Sequence, residues 1–285
     1  MISLKGREKF LILLTLTALI AAAVVPEFLA AYNSDPSGTS STTYPATSVP
    51  VANNQVPPMY ATVPSGKFFY ASSEDFAPPG QVDVYLVGWL GCHVALSDGW
   101  PLYVIMSGFG QLNYTFGTSN PYRPFPNTTG LIFTGYQPYE PDEPVHFYYI
   151  YLYNKWMNET ADCQPIPEGD LIPVGANETS HFLPTPLYQL VMHYQLDAVF
   201  NGTHEPLAIL KTHIVTVLII TGPNGTYMAY GPLYNILPLK EANGQYVMEH
   251  LYDQKMFSNI WDGVNVIEQT IREAAGTSVN ITFSS

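Results

Sequence analysis

The apolar positions of the chain fall into three regimes. Phe10–Val25 is an uncharged, largely apolar run. From Asn33 to Gly66 no apolar period survives, and Ser, Thr, Pro and Asn dominate, with Asp35 the single charge. Beyond Lys67, short apolar runs alternate with breaks marked by Gly and Pro, the pattern of a mixed α/β domain. Val82–Trp89, Leu131–Thr134, His146–Tyr153 and Ile214–Ile220 read as strands, rich in β-branched and aromatic residues. The turn Gly222-Pro-Asn-Gly225 leads into a further strand at Thr226–Tyr230. The spacing predicts a helix over Trp100–Ser107, with Asp98 as its cap and Pro101 in its first turn. It predicts a second within Pro184–Phe200 and a third over Ile260–Ala275, where Val264, Ile267 and Ile271 share one face.

Lys5, Arg7 and Lys9 stand directly before the first apolar run. A positive n-region followed by an apolar stretch is the layout of an export signal, the cations holding the cytoplasmic side. Phe10–Val25 falls slightly short of the ~20 residues that span a bilayer, and Pro26–Ala31 extends it. Residues 10–31 therefore read as a signal anchor, or as a signal peptide cleaved after Ala23. The organisation expected is a cytoplasmic n-region (1–9), the membrane segment (10–31), an extended Ser/Thr/Pro stalk (32–66) and an extracytoplasmic domain (67–285). The chain is thus expected at the cell membrane with its bulk outside, or secreted.

Composition narrows the function classes. Hydrophobic residues make up 47% of the 285, enough for a core and too many for a disordered chain. A formal net charge of −13 leaves no basic surface for nucleic acid. Only seven basic residues lie beyond residue 32, so few ion pairs can form and little pairing energy is lost when carboxylates protonate. The expected exterior is an acidic one. Asn-x-Ser/Thr sequons stand at Asn113, Asn127, Asn158, Asn177, Asn201, Asn224 and Asn280. They mark candidate glycosylation sites on an exported protein, each requiring exposure.

The stretch Val87–Gly110, with Cys92, His93, Ala95, Trp100 and Ser107-Gly-Phe-Gly110, resembles a family of membrane-anchored archaeal proteins with a thioredoxin-like domain and no assigned function. Thr115–Gly135 and Asn224–Gly231 continue the likeness, which spans roughly residues 65–285. The resemblance implies a thioredoxin-like mixed sheet flanked by helices. It places the first cysteine of a Cys-x-x-Cys pair at Cys92 and the second at Ala95. It places the cis-proline of such folds at Thr216 or Val217. Both departures remove redox machinery, since Cys92 has no resolving thiol to close a four-residue disulfide. Gly99 and Pro101 also weaken a helix starting directly at Cys92, and with it the helix-terminus effect on a thiol.

Three readings of Cys92 remain open: half of a disulfide with Cys163, a free inert thiol, or a nucleophile. An even pair of cysteines in an exported chain defaults to a disulfide. The Cys92–Cys163 loop of about 72 residues would contribute roughly 4 kcal/mol. In acid, a thiol of pKa about 8.5 is almost wholly protonated, which disfavours the nucleophile. The histidines follow no metal-ligand spacing, Glu140–Glu143 lies between prolines as a solvated loop, and no cofactor-binding motif is present. The functions these readings support are a non-catalytic envelope glycoprotein that binds or spaces a cell-envelope protein partner, an oxidoreductase acting through Cys92 alone, and a surface-lattice or filament subunit.

Overall fold

Seven consecutive residues, Val82–Gly88, are buried without alternation, because the strand they form has neighbours on both edges and layers on both faces. They belong to a computed structural model that describes residues 62–283. In chain order its first half runs β1 (Thr62–Val63), β2 (Phe68–Ser72), β3 (Val82–Gly88), α1 (His93–Met106), β4 (Gly110–Thr118), β5 (Thr129–Pro138) and β6 (Val145–Tyr151). The second half runs α2 (Leu171–Phe182), α3 (Thr185–Leu196), β7 (Val199–Phe200), α4 (Leu207–Lys211), β8 (Val217–Gly222), β9 (Gly225–Tyr230), α5 (Gly244–Glu249) and α6 (Ser258–Ala275). The expected membrane segment at 10–31 lies outside the described residues. Among the described residues no helix is long and apolar enough to cross a membrane.

The central sheet has the order β2-β9-β8-β3-β6. β3 pairs with β6 in parallel and with β8 antiparallel, and β8 and β9 form a hairpin closed at Gly222 and Gly225. The parity of β3 sorts the layers. A methyl group on Gly88 would meet Ala95 of α1, and one on Gly222 would meet both Val82 and Ala274 of α6, so the even positions face α1 and α6. Tyr85, of odd parity, packs edge-on against Phe182 of α2. Helices thus cover both faces of a mixed sheet. α6 contributes the stripe expected for it, with Ile260, Val264, Ile267 and Ile271 buried. Gln195 of α3 clamps Val215, donating to its carbonyl at 2.8 Å and accepting from its N–H at 3.1 Å.

The helix expected over Trp100–Ser107 starts seven residues earlier, at His93, and Asp98 is not its cap but a buried residue inside it. The breakers that argue for a late start have other roles. Gly99 is where the β5 backbone crosses α1: a methyl there would stand 3.0 Å from the Leu131 carbonyl, and one on Gly130 would overlap the Leu96 carbonyl. Trp100 Nε1 donates to the Thr129 carbonyl at 3.1 Å across the same crossing. Pro101 sits in mid-helix, and its consequence for Ser97 is met by Tyr234. The β4–β5 hairpin thereby packs on α1 apart from the central sheet. β4 and α2 fall outside the elements expected from the sequence: β4 is mostly exposed or half-buried, and α2 buries only Gly175 and Thr179.

Candidate functional site

The turn leaving β3 places Cys92 at the cap of α1. Its N–H donates to the Trp89 carbonyl at 3.0 Å, its carbonyl accepts from Leu96 N–H at 3.0 Å, and its backbone is extended (φ −77°, ψ 123°). The helix therefore does begin at Cys92, contrary to the weakness expected from Gly99 and Pro101. The thiol is 5% exposed. Burial pushes it up from the ordinary thiol range, opposed by the Thr216 hydroxyl and the first helical amides at Ala95 and Val94, and seconded by the Asp98 charge. Desolvation outweighs the helix terminus here, so the thiol stays protonated.

Ala95 and Thr216 come together beside that thiol. A methyl on Gly88 would lie 2.8 Å from the Ala95 side chain and 3.3 Å from the Thr216 hydroxyl. Ala95 is fully buried, and Thr216 is buried with a hydroxyl that makes no regular hydrogen bond. No cis peptide bond occurs among the described residues. The row Cys92–Ala95–Thr216 offers one protonated thiol, a methyl and a hydroxyl, and no second sulfur.

Two histidines that sequence spacing does not single out as a pair flank this end of the domain. His213 is 6% exposed, meets the rings of Trp89 and Tyr153 edge-on, and approaches the Lys211 carbonyl at 2.6 Å through Nδ1. Burial holds it down at about 4, the Lys211 carbonyl opposing and the Arg123 and Lys211 charges assisting. His93 stacks near Phe125 at 4.9 Å and is also held down at about 4, first by burial and then by Lys211. Both imidazoles are neutral at pH 7, so neither supplies a positive charge to a thiolate. Trp89 Nε1 is buried without a partner.

The structure does not join Cys92 and Cys163. Both are free, the first buried and the second exposed on a turn where its own φ is 67°. Six of the seven sequon asparagines are exposed, at positions 113, 158, 177, 201, 224 and 280. Asn224 donates from Nδ2 to the Glu273 carbonyl at 2.9 Å. Asn127 is half-buried at φ 53°, and the Thr129 hydroxyl of its sequon is engaged with the Ala242 carbonyl at 2.5 Å. Among the described residues no three His, Cys, Asp or Glu side chains gather into a metal site.

A family model described as a domain of unknown function, DUF929, matches residues 67–273. The chain belongs to that family. The DUF929 match takes in Cys92, Ala95, Thr216, both flanking histidines and the whole central sheet. No curated protein and no solved structure matches the chain.

Proposed function

We propose that this DUF929 protein is a non-catalytic cell-envelope glycoprotein, membrane-anchored or secreted, whose thioredoxin-like domain has lost its redox pair and serves to bind or space a partner. The carrying observation is the Cys92 environment: a buried thiol with a raised pKa, Ala95 one helical turn on, and Thr216 against it. The sheet order β6-β3-β8-β9, with α1 leaving β3 at the cysteine and α6 closing the domain, supports the thioredoxin-like reading. The exposure of six sequon asparagines and the basic leader at Lys5, Arg7 and Lys9 support the extracytoplasmic address.

Insulin-disulfide reduction tests this. The wild type and Cys92→Ser should both stay at the uncatalysed rate; a wild-type rate lost in Cys92→Ser would replace the proposal with a single-cysteine oxidoreductase. A mobility shift on deglycosylation of the protein from its own host tests the address, and its absence would remove the glycoprotein part.

A further inference from the structure

Two loops at the Cys92 end of the domain carry exposed aromatic rings beside cations. Tyr122 is 81% exposed and Trp156 54% exposed, with ring centroids 6.3 Å apart and planes at 42°. The Lys155 ammonium lies 5.8 Å from the Trp156 ring and donates to the Thr118 hydroxyl at 2.9 Å. Arg123 follows Tyr122 directly and is exposed. Large rings left open to water on a soluble domain cost favourable burial and mark contact surfaces.

The rings are held, not merely exposed. Asn120 is buried, and its N–H donates to the Gly91 carbonyl at 2.9 Å. Its Nδ2 donates to the Lys155 carbonyl at 2.9 Å, while its Oδ1 accepts from Tyr122 N–H at 2.8 Å. Asn120 therefore joins the two aromatic loops through its side chain and ties them to the turn before Cys92 through its backbone N–H. Pro121 and Pro124 bracket Tyr122 and Arg123 and fix φ on either side. Such preorganisation lowers the entropy lost when a ligand is bound.

Charge selects the ligand class. The chain carries a net charge of −13, yet no Asp or Glu occurs from Gly99 to Tyr139, and Arg123 is the only charge there. In the second loop two acids follow Lys155, and both are engaged within the loop: Glu159 accepts a hydrogen bond from Asn154 at 3.1 Å and Asp162 accepts one from the Thr160 hydroxyl. Two exposed, tilted rings edged by the cations Arg123 and Lys155 complement an anionic ligand with apolar faces. The C–H faces of a pyranose stack on such rings, and carboxylates or sulfates on the same sugar pair with Arg and Lys. We propose that the Tyr122–Trp156 surface, with Arg123 and Lys155, binds an acidic saccharide. This deepens the binding role proposed above and rests on it; the test below is separate from insulin reduction, so each can fail alone.

The test is calorimetric titration of the full chain with oligogalacturonate, with the same oligomer methyl-esterified, and with poly-glutamate. Oligogalacturonate should bind saturably and more weakly as salt is raised. Esterification, Trp156→Ala and Arg123→Ala should each weaken it about tenfold or more, with thermal midpoints of the variants unchanged because both side chains are exposed. Absence of saturable binding overturns the proposal. So does equal affinity in the variants, or an equal response to poly-glutamate, which would point to an acidic polypeptide or a second copy of the chain instead.

Discussion

The Tyr234 hydroxyl donates to the Ser97 carbonyl at 2.6 Å, meeting the acceptor that Pro101, four residues on, has no N–H to satisfy. The same segment sends Leu233 N–H to Asp98 Oδ1 at 3.5 Å. A proline that ordinarily breaks a helix is thus tolerated because a residue 137 positions from Ser97 takes over its missing bond. Tyr234→Phe should cost about 1–3 kcal/mol, the penalty of an unsatisfied buried carbonyl, and lower the thermal midpoint by several degrees. In a Pro101→Ala background the cost should shrink, because the substituted residue regains a backbone N–H that can reach the carbonyl. Equal costs in the two backgrounds, read from a double-mutant cycle, would separate Tyr234 from Pro101.

Asp98 gives the fold a pH dependence of defined sign. It is 1% exposed, and burial raises its carboxyl from 3.8 to about 8, the Leu233 N–H opposing. The folded state therefore holds a proton that the unfolded state releases above about 3.8. The resulting stability is full below that value, declines as pH rises and is gone above about 8. Between pH 7.5 and 8, where His93 and His213 are neutral folded and largely neutral unfolded, stability to urea should weaken with rising pH by up to about 1 kcal/mol per unit. Asp98→Asn should flatten that slope. A variant with the wild-type slope would show that Asp98 is not its source.

His213 acts in the opposite direction at lower pH. Its folded value is held down at about 4 against an ordinary 6.5, so its contribution is present above 6.5 and lost as pH falls through about 4. His93 shares that window. Asp98 and Asp83, the latter raised to about 6 by burial, gain stability over much of the same range. The four slopes nearly cancel, so wild-type stability should be almost level between pH 6 and 4. Among the described residues the two ion pairs, His193–Asp197 and Glu268–Arg272, are surface i,i+4 pairs of about 0.3–0.5 kcal/mol each, so ion pairing contributes little to stability. His213→Gln should turn the level stretch into a rise toward pH 4. A wild type that unfolds cooperatively above pH 4 would remove the case for an acid-tolerant exterior domain.

How far the chain is legible follows from where each element finds its partners. β3 and β8 are readable because continuous burial leaves an unbroken apolar run in each. The start of α1 is not, because Gly99 and Pro101 are compensated by Leu131 and Tyr234, contacts that no local window contains. The 9-residue strand β4 escapes because only Gly110 in it is buried, so its apolar alternation is thin. At the site, Cys92 and Ala95 are visible through a resemblance, which leaves its cis-proline position between Thr216 and Val217. The Trp89–His213 contact is invisible, since two residues 124 apart in number share no spacing rule and meet only when β3 and the segment before β8 lie side by side.

The two cysteines separate the remaining readings by reactivity. Cys92 is buried with a raised pKa, whereas Cys163 is exposed, and the thiolate is the form that attacks an alkylating reagent. Native protein at pH 7.5 should take up one maleimide, at Cys163, and a second only after unfolding in guanidinium. The native rate at Cys92 should then track global opening and rise with denaturant in step with the loss of Trp fluorescence. Rapid native labelling of Cys92 would revive the nucleophile. Labelling of neither residue before or after unfolding, with both restored by a reductant, would establish the Cys92–Cys163 disulfide. Because Cys92 lies against the segment that leads into β8, closing that bond would have to draw Cys163 inward from its exposed turn.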